Sequence, residues 1–413
     1  MGLGARADTS SEMNGRMRIA AVFPAALEPA AGSAARRLGA LCAGLATAFD
    51  LQAVTLVEPG DRTGASSNPW SVPERRIPMT PGYADARLRT VQRDGAPADA
   101  LALIEATWLT PHFQRAVDEV VVGADYVMTV PWLAAAVRAC TAAPIVLVAD
   151  RVEYLARRAA FGDAGRPGVL HRIATLEGEA CALARWVVVP DARDGALLAA
   201  LYEVDPQRVV VVPSATTAAF PDAVQPVFGG ERRALKASST LADQRIAVLV
   251  ASGDGANLAL VREAVALARA LPDVLLVVVG GVAERVAGIA VPPTMKYLGR
   301  VDDATYDLML GCADVALAPR SEATGVDLRI LDYLRRGVPV VTTRAGVLGI
   351  NASTGLIATS LDDLGRCVGV VLGDPVGAEA LAREGYAAFG RATDGDAGVR
   401  DLCARLAGAV VAA

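Results

Sequence analysis

The stretch Ala313–Gly349, ADVALAPRSEATGVDLRILDYLRRGVPVVTTRAGVLG, places two short apolar runs on either side of a polar loop and an amphipathic segment. The apolar runs Asp314–Ala318 and Pro339–Thr343 predict buried parallel strands, and the segment Val326–Arg336 between them predicts a helix. A strand, a helix and a second strand in this order predict a βαβ unit. We therefore take this stretch as the centre of an α/β domain.

The polar loop of this stretch ends in a glycine where the predicted helix starts. The first turn of a helix offers backbone N–H groups that have no partner within the helix, and such a turn suits a diphosphate. An aspartate in that turn would either cap the helix or repel phosphate. The predicted diphosphate-binding turn consists of Gly325, Val326, Asp327 and Leu328.

Two charged residues of the predicted helix lie on one face. Arg329 and Asp332 are three residues apart, which places them at neighbouring positions of the helix surface. A guanidinium can hold phosphate oxygens in a bidentate manner, and a carboxylate one turn later can accept hydrogen bonds from both ribose hydroxyls. The alternative interpretation is an ordinary ion pair between these two side chains on the surface.

Strands and helices alternate over most of the chain, which favours an α/β fold with two Rossmann-like, doubly wound parallel-sheet domains. Residues 58–100 are rich in Pro, Gly and Arg and predict loops with short helices. The other predicted strands are Arg18–Phe23, Asp50–Val57, Tyr126–Val130, Ile145–Ala149, Trp186–Val189, Arg208–Val212, Ile246–Ala251 and Val274–Val279.

Length and composition limit the class of protein. A chain of 413 residues favours two domains over one, and 53% hydrophobic residues agree with a large buried core. The net charge of −5 and the lack of a long basic block argue against nucleic-acid binding. No apolar run of about 18 residues predicts a membrane span, although peripheral membrane contact stays open. The first sixteen residues have no apolar signal-peptide core, so we expect a disordered tail or a start at Met17.

Cysteines and histidines do not form a recognisable metal or redox motif. Six cysteines lie far apart in the chain, which indicates reduced thiols and a cytoplasmic location. The two histidines, His112 and His171, stand apart from any cluster of metal-ligand type. We therefore expect neither a metal site nor a bound cofactor.

The stretch Ala313–Gly349 resembles the donor-site signature of glycosyltransferase family 4, whose members are retaining enzymes of the GT-B fold. The resemblance implies that Arg329 stands at the family's lysine and Asp332 at its ribose-binding glutamate. The family's second glutamate stands eight residues before the first, where this chain has Thr324, and Glu322 lies two residues earlier. The matching residues are Pro319, Ala323–Val326, Leu328–Asp332 and Gly337–Val341.

The resemblance continues upstream of that stretch. The small residues Ser252 and Gly253, followed by Asn257, are similar to the family's loop and Asn-led helix beside the diphosphate. Val277–Gly281 and Leu298–Asp303 resemble the family's Val-Gly strand end and the loop that borders the base. Some branches carry an Arg and a Lys in the first loop; this chain does not, so phosphate binding would depend on Arg329, Arg300 or Arg320.

In the N-terminal half, Pro24–Arg37 resembles the family's Pro-rich loop, in which Gly32 would face phosphate or acceptor. Ala149–Phe161 resembles a motif whose His-Asn pair is replaced here by Asp150 and Arg151. We expect Asp150 to point toward the transferred sugar and, together with Arg329, to act in catalysis. The alternative is that Asp150 caps the following helix and pairs with an arginine such as Arg157.

The GT-B resemblance implies two domains that face each other across a cleft. We expect a tail at residues 1–16, an acceptor-side domain at 17–217, a linker at 218–243 and a nucleotide-sugar domain at 244–385. Helices in 386–413 should partly return to the N-terminal domain.

The resemblance implies a retaining glycosyltransferase that moves a sugar from a nucleoside diphosphate sugar to a hydroxyl. The acceptor would be a sugar, a lipid-linked molecule or a small molecule. A second hypothesis is a weakly active or inactive GT-B protein that binds nucleotide or glycan, or supports a partner enzyme. A third is another GT-B enzyme, such as a sugar-nucleotide epimerase.

Overall fold

The chain forms two parallel β-sheets, each covered by helices. The computed structural model describes residues 15–28, 33–58, 64–66, 68–162, 165–214, 219–220, 224–251, 257–282, 290–320, 324–350, 355–392 and 397–411. Strands rich in Val, Leu and Ile lie at the centre of both sheets, as expected for parallel strands with both faces covered. Among the described helices, none is long and apolar enough to cross a membrane.

The N-terminal sheet has the strand order β3-β4-β2-β1-β5-β6-β7-β8. Its strands pair in parallel except for the short β3, which runs antiparallel to β4. The order reverses between β1 and β5, so a crevice forms at the carboxyl ends of these two strands. The strands are β1 (Arg18–Phe23), β2 (Asp50–Val57), β3 (Gly64–Ser66), β4 (Glu74–Pro78), β5 (Tyr126–Thr129), β6 (Ile145–Val148), β7 (Ala184–Val189) and β8 (Val209–Val211).

The C-terminal sheet has six parallel strands in the order β11-β10-β9-β12-β13-β14. This is the strand order 3-2-1-4-5-6 of a Rossmann domain, whose order reverses between its first and fourth strands, here β9 and β12. The strands are β9 (Arg245–Val250), β10 (Val274–Val279), β11 (Met295–Gly299), β12 (Val315–Ala318), β13 (Val340–Thr343) and β14 (Leu356–Thr359).

Within the described residues, eight α-helices accompany the N-terminal sheet, together with 3-10 helices at Ala96–Glu105, Pro131–Leu133 and Pro206–Arg208. They are α1 (Ser33–Ala46), α2 (Pro81–Asp94), α3 (Ala106–Leu109), α4 (Pro111–Val121), α5 (Ala134–Cys140), α6 (Glu153–Phe161), α7 (Pro167–Leu183) and α8 (Ala192–Tyr202).

The part of the C-terminal half that the structure describes contains seven further helices. They are α9 (Gly229–Ala237), α10 (Asn257–Ala270), α11 (Asp303–Cys312), α12 (Leu328–Arg335), α13 (Leu364–Gly373), α14 (Pro375–Ala392) and α15 (Ala397–Val411). The last of them, α15, lies on the N-terminal domain, where Leu402 and Leu406 belong to the core of the N-terminal sheet. The Tyr126 hydroxyl on β5 donates a hydrogen bond to the Leu406 carbonyl over 3.1 Å.

Two segments predicted as irregular contain regular structure. Residues 58–100 include β4 and the 14-residue helix α2, so the prediction of loops with only short helices is wrong there. Within 218–243, α9 turns Arg232 and Lys236 inward, where they bond to the Gly337 carbonyl and the Asp314 carboxylate. A helix that buries charged side chains lacks the apolar periodicity on which the prediction relied.

Candidate functional site

Arg329 on α12 reaches the carboxyl end of β9. Its Nη1 donates a hydrogen bond to the carbonyl of Val250, the last residue of β9, over 2.8 Å. The N–H of Val250 donates to the Tyr333 hydroxyl over 2.9 Å, so α12 is attached to this strand end at two points. Because the strand order reverses beside β9, this strand end is where a doubly wound sheet binds its ligand.

Asp327 caps α12 and also binds the arginine. Its Oδ1 accepts from the Arg329 N–H over 3.1 Å and from the Arg329 Nε over 2.8 Å, and its Oδ2 accepts from Nη2 over 2.6 Å. Burial alone would raise the pKa of Asp327, but the neighbouring Arg329 outweighs burial and lowers that pKa. Of the two roles considered for Asp327, the structure therefore shows the cap, with the carboxylate turned toward the arginine.

Asp332 does not pair with Arg329, so the alternative of a surface ion pair between them is wrong. Asp332 is 4% exposed, and its carboxylate accepts from Arg335 Nε over 2.7 Å, from Arg336, and from the Tyr306 hydroxyl over 2.6 Å. Burial opposes its ionisation, yet the nearby arginines outweigh burial and lower the pKa of Asp332 to about 2. Ribose binding by Asp332 stays a prediction, and it would require one of these bonds to be exchanged.

The loop before α12 contacts the N-terminal domain. The Thr324 hydroxyl accepts from the Val152 N–H over 2.7 Å and donates to the Asp194 carboxylate over 3.0 Å. The Gly325 N–H donates to the other Asp194 oxygen over 2.8 Å. Arg320, buried after β12, donates to the carbonyls of Thr324 and Gly325. The predicted diphosphate loop is thus held from both domains.

Any side chain at Gly325 would be strained in this arrangement. Its φ is +73°, and a Cβ at this position would lie 2.9 Å from the Arg151 Cβ and 3.0 Å from the Asp150 carbonyl oxygen. A similar close approach occurs at Gly349, where a Cβ would lie 2.7 Å from the Asp191 carboxylate. The two domains therefore approach each other closely at these two glycines, beside the predicted donor loop.

Asp194 is the main residue of this site that sequence reasoning missed. It lies in the first turn of α8, and its own N–H donates to the capping side chain of Asp191 over 2.8 Å. Burial raises the pKa of Asp194 even though the Gly325 N–H donates to it. The only available signal was the Asp-x-x-Asp pattern after a strand, which looks like helix capping alone.

Asp150 follows β6 and forms an ion pair with Arg37 on α1. The alternative is confirmed in one part, because Asp150 pairs with an arginine, but it is wrong about the helix cap and about Arg157 as the partner. The N-cap residue of α6 is Val152, and Arg157 instead pairs with Glu153 and Asp99. The Asp150 side chain keeps 24% exposure, and its role toward a sugar stays a prediction.

The remaining predicted site residues are scattered or lie outside the described residues. Val326 packs near Gly349, and Leu328 is buried in the C-terminal core. Arg300 is exposed after β11, and Asn257 is the first residue of α10. Those outside the described residues are Gly32, Ser252, Gly253 and Glu322. Within the described ranges, His, Cys, Asp and Glu form no group of three that could hold a metal ion.

Residues 245–374, from β9 to just beyond α13, match the family model described as Glycosyl transferases group 1. None of the curated proteins compared with this chain matches it. The family match thus covers under a third of the chain, and this segment includes Arg329 and the loop at Gly325.

Solved structures that match most of the chain show that it has the GT-B fold. Sucrose-phosphate synthase from Thermosynechococcus elongatus is 15% identical, with a TM-score of 0.67 over 96% of this chain and 100% of that one. Anabaena HepE in complex with UDP-glucose is 12% identical, with a TM-score of 0.60 over 96% and 100%. A putative UDP-N-acetylglucosamine 2-epimerase from Listeria monocytogenes is 14% identical, with a TM-score of 0.54 over 94% and 95%. At these sequence identities the similarity shows the fold alone, and both transferases and an epimerase have this fold.

Proposed function

We propose that this protein transfers a sugar from a nucleoside diphosphate sugar, bound by the C-terminal domain, to an acceptor hydroxyl. The observation that carries this proposal is the position of Arg329 at the carboxyl end of β9, within the segment that matches glycosyl transferases. An arginine beside a helix N-terminus at this point of a Rossmann sheet is suited to a diphosphate. The fold alone would also suit an epimerase, so the proposal depends on the family match.

The donor diphosphate would bind between the start of α12 and Arg329. Asp327 neutralises this arginine in the structure, over 2.6 Å to Nη2. A diphosphate would therefore compete with the Asp327 carboxylate for the guanidinium. Such competition lowers the affinity of the protein for the bound donor. The contact between the Arg329 guanidinium and the diphosphate is then strongest in the transition state, when the leaving diphosphate gains negative charge.

The acceptor would approach from the N-terminal domain, where Asp150 is a carboxylate whose position is carried over from the family motif. Its backbone carbonyl lies against Gly325, so the Asp150–Arg37 pair borders the donor loop. We propose that catalysis depends mainly on holding the two substrates in line. In the retaining reaction of family 4, the departing diphosphate can accept the proton of the acceptor hydroxyl, so a protein base is not required.

A uridine nucleotide is the first donor to test, because HepE, which shares the fold, is described with UDP-glucose. Purified protein is incubated with UDP-, GDP- and ADP-sugars, alone and with sugar, lipid-linked or small-molecule acceptors, and release of the nucleoside diphosphate is measured. Acceptor-dependent release from one donor class supports the proposal. Interconversion of the sugar while it remains attached to the nucleotide would instead establish an epimerase.

A second candidate is a GT-B protein that binds nucleotide without transferring sugar. It is favoured by the engagement of Asp332 with Arg335, Arg336 and Tyr306, since this carboxylate stands at the family's ribose-binding position. Binding of a nucleoside diphosphate in the absence of turnover, across the full panel of donors and acceptors, would establish this candidate. Acceptor-dependent turnover would exclude it.

A further inference from the structure

Asp194 joins the N-terminal domain to the start of the predicted donor loop. It lies in the first turn of α8 and is 1% exposed. Its Oδ2 accepts from the Gly325 N–H over 2.8 Å, and its Oδ1 accepts from the Thr324 hydroxyl over 3.0 Å. A carboxylate of one domain therefore binds two neighbouring hydrogen-bond donors of the other.

Both partners of Asp194 are neutral groups. Among the residues that the structure describes, no lysine or arginine forms an ion pair with it, and Arg37 attracts it only from beyond ion-pair distance. Burial has the largest effect on this carboxyl and raises its pKa, and Asp191 on the same helix acts in the same direction. By contrast, Asp327 and Asp332 are each bonded to arginines. Asp194 is thus a buried anion held by a hydroxyl and a backbone N–H, which are groups that also bind phosphate.

The N–H that Asp194 uses belongs to the turn at which the donor diphosphate would bind. Gly325 is the first residue of this predicted diphosphate-binding turn, and its N–H points at the Asp194 carboxylate in the structure. A diphosphate at the same turn would meet a buried carboxylate of like charge, and like charges repel strongly where water is excluded. The diphosphate and Asp194 therefore compete for the start of the loop.

A second contact between the domains lies beside the first. The Val152 N–H, at the start of α6, donates to the Thr324 hydroxyl over 2.7 Å. The Asp194 side chain has little free space around it, since it is 1% exposed. We therefore expect its carboxylate to leave the Gly325 N–H only when the two domains separate at this point, which also breaks the contact at Val152.

We propose, on the basis of the donor site proposed above, that Asp194 is an internal competitor of the donor diphosphate. In the ligand-free protein its carboxylate occupies the Gly325 N–H and holds the two domains together at the donor loop. A bound diphosphate takes over this N–H, and the contact between the domains at Asp194 is released. Asp194 thus sets the affinity for the donor and couples donor binding to the separation of the domains at this loop.

Asp194→Asn removes the negative charge and keeps the shape of the side chain. Its single amide oxygen replaces two carboxylate oxygens, so it cannot serve the Thr324 hydroxyl and the Gly325 N–H as the carboxylate does. Isothermal titration with UDP, GDP and ADP measures the affinity of both proteins. We expect the nucleoside diphosphate that binds to bind Asp194→Asn about tenfold more tightly, because repulsion and competition both decrease.

Asp205→Asn is the matched control for the loss of one charge. Asp205 is exposed and precedes the 3-10 helix after α8, and its side chain accepts from the Gln207 N–H over 2.9 Å, a bond that asparagine can also accept. The affinity of this variant for the nucleoside diphosphate should equal that of the unchanged protein. An equal rise in affinity in both variants would overturn the proposal, since it would reflect net charge alone.

Hydrogen–deuterium exchange of the unchanged protein gives a second measurement that needs no variant. A saturating nucleoside diphosphate should speed exchange of the Val152 N–H several-fold, because its acceptor on Thr324 moves away with the donor loop. A ligand that only made the closed protein more rigid would slow this exchange. Without ligand, the Gly325 N–H should exchange faster in Asp194→Asn than in the unchanged protein.

The proposal is overturned if Asp194→Asn binds the nucleoside diphosphate with equal or lower affinity, or if the ligand slows exchange at Val152. In these cases the donor site itself still stands, because a nucleoside diphosphate binds. If no nucleoside diphosphate binds either protein, the proposed function fails, and the competition at Asp194 fails with it. If Asp194→Asn does not fold, exchange at Val152 in the unchanged protein decides the outcome.

Discussion

Replacing Arg329 with alanine should weaken the binding of a nucleoside diphosphate such as UDP by about tenfold to 150-fold. The side chain is 15% exposed and ends at the carboxyl end of β9, so a phosphate bound there would meet it with little water between them. A hydrogen bond to a charged group contributes about 1.5–3 kcal/mol, which corresponds to this range of affinities.

The same substitution should also lower stability, because it leaves Asp327 without its partner. The Asp327 side chain is 3% exposed and its carboxylate is bound to Arg329 at two nitrogens. Removing one partner of a buried ion pair typically lowers the free energy of unfolding by about 3–5 kcal/mol. The double variant Arg329→Ala/Asp327→Ala removes the stranded charge, so it should recover part of that stability while UDP binding stays weak.

Isothermal titration with UDP measures the affinity, and urea denaturation measures the stability of the same preparations. Arg366→Ala, at an exposed arginine of α13 in the same domain, is the matched control and should change neither quantity by more than a few tenths of a kcal/mol. If folded Arg329→Ala bound UDP as tightly as the original protein, the assignment of the diphosphate to this arginine would be refuted.

Three other substitutions test separate parts of the structure. Asp150→Asn should reduce sugar-transfer turnover about tenfold if the carboxylate acts on a substrate, which steady-state kinetics will measure. Gly325→Ala should lower the free energy of unfolding by about 1–3 kcal/mol in urea denaturation, because φ is +73° and the new Cβ meets Arg151. Glu177→Gln should flatten the pH dependence of stability. Burial raises the pKa of Glu177 from 4.5 to about 7, so between these pH values the native state keeps a proton that the unfolded state loses. The stability of the wild-type protein therefore falls as the pH rises across this window.

Controls for these three substitutions come from the same regions. Full turnover in Asp150→Asn would leave that carboxylate without a chemical role. A Gly373→Ala variant places its Cβ in open space at the end of α13 and should be nearly neutral, so equal loss in both glycine variants would contradict the steric argument for Gly325. If wild-type stability rose between about pH 5 and pH 7 and Glu177→Gln removed none of the change, Glu177 would not be the titrating group.

The strands were the most predictable part of the fold. Parallel strands buried on both faces appear as short runs of Val, Leu and Ile, and the predicted Arg18–Phe23 and Val274–Val279 coincide with β1 and β10. Prediction failed where a helix buries polar groups. In α9, Arg232 and Lys236 point inward and bind a carbonyl and a carboxylate, and no apolar pattern marks such a face.

The sequence motif predicted the local elements around Arg329 but not the partners of its side chain. The motif around Gly325 placed Arg329 at a helix start, but spacing suggested Asp332 as its neighbour. The structure pairs Arg329 with Asp327, two residues away, because the side chain turns back over the helix N-terminus. The contact of Gly325 with Asp194 joins residues 131 positions apart, and one sequence gives no signal for such a pairing.

The central claim is that the carboxyl end of β9 and the start of α12 form the diphosphate site of a sugar-nucleotide donor. A crystal structure of the protein with bound UDP tests it most directly. We predict that a phosphate oxygen lies within hydrogen-bond distance of the Arg329 guanidinium, with the uridine in the crevice beside β9 and β12. UDP bound elsewhere, or no UDP at a concentration far above that needed for saturation, would contradict the account.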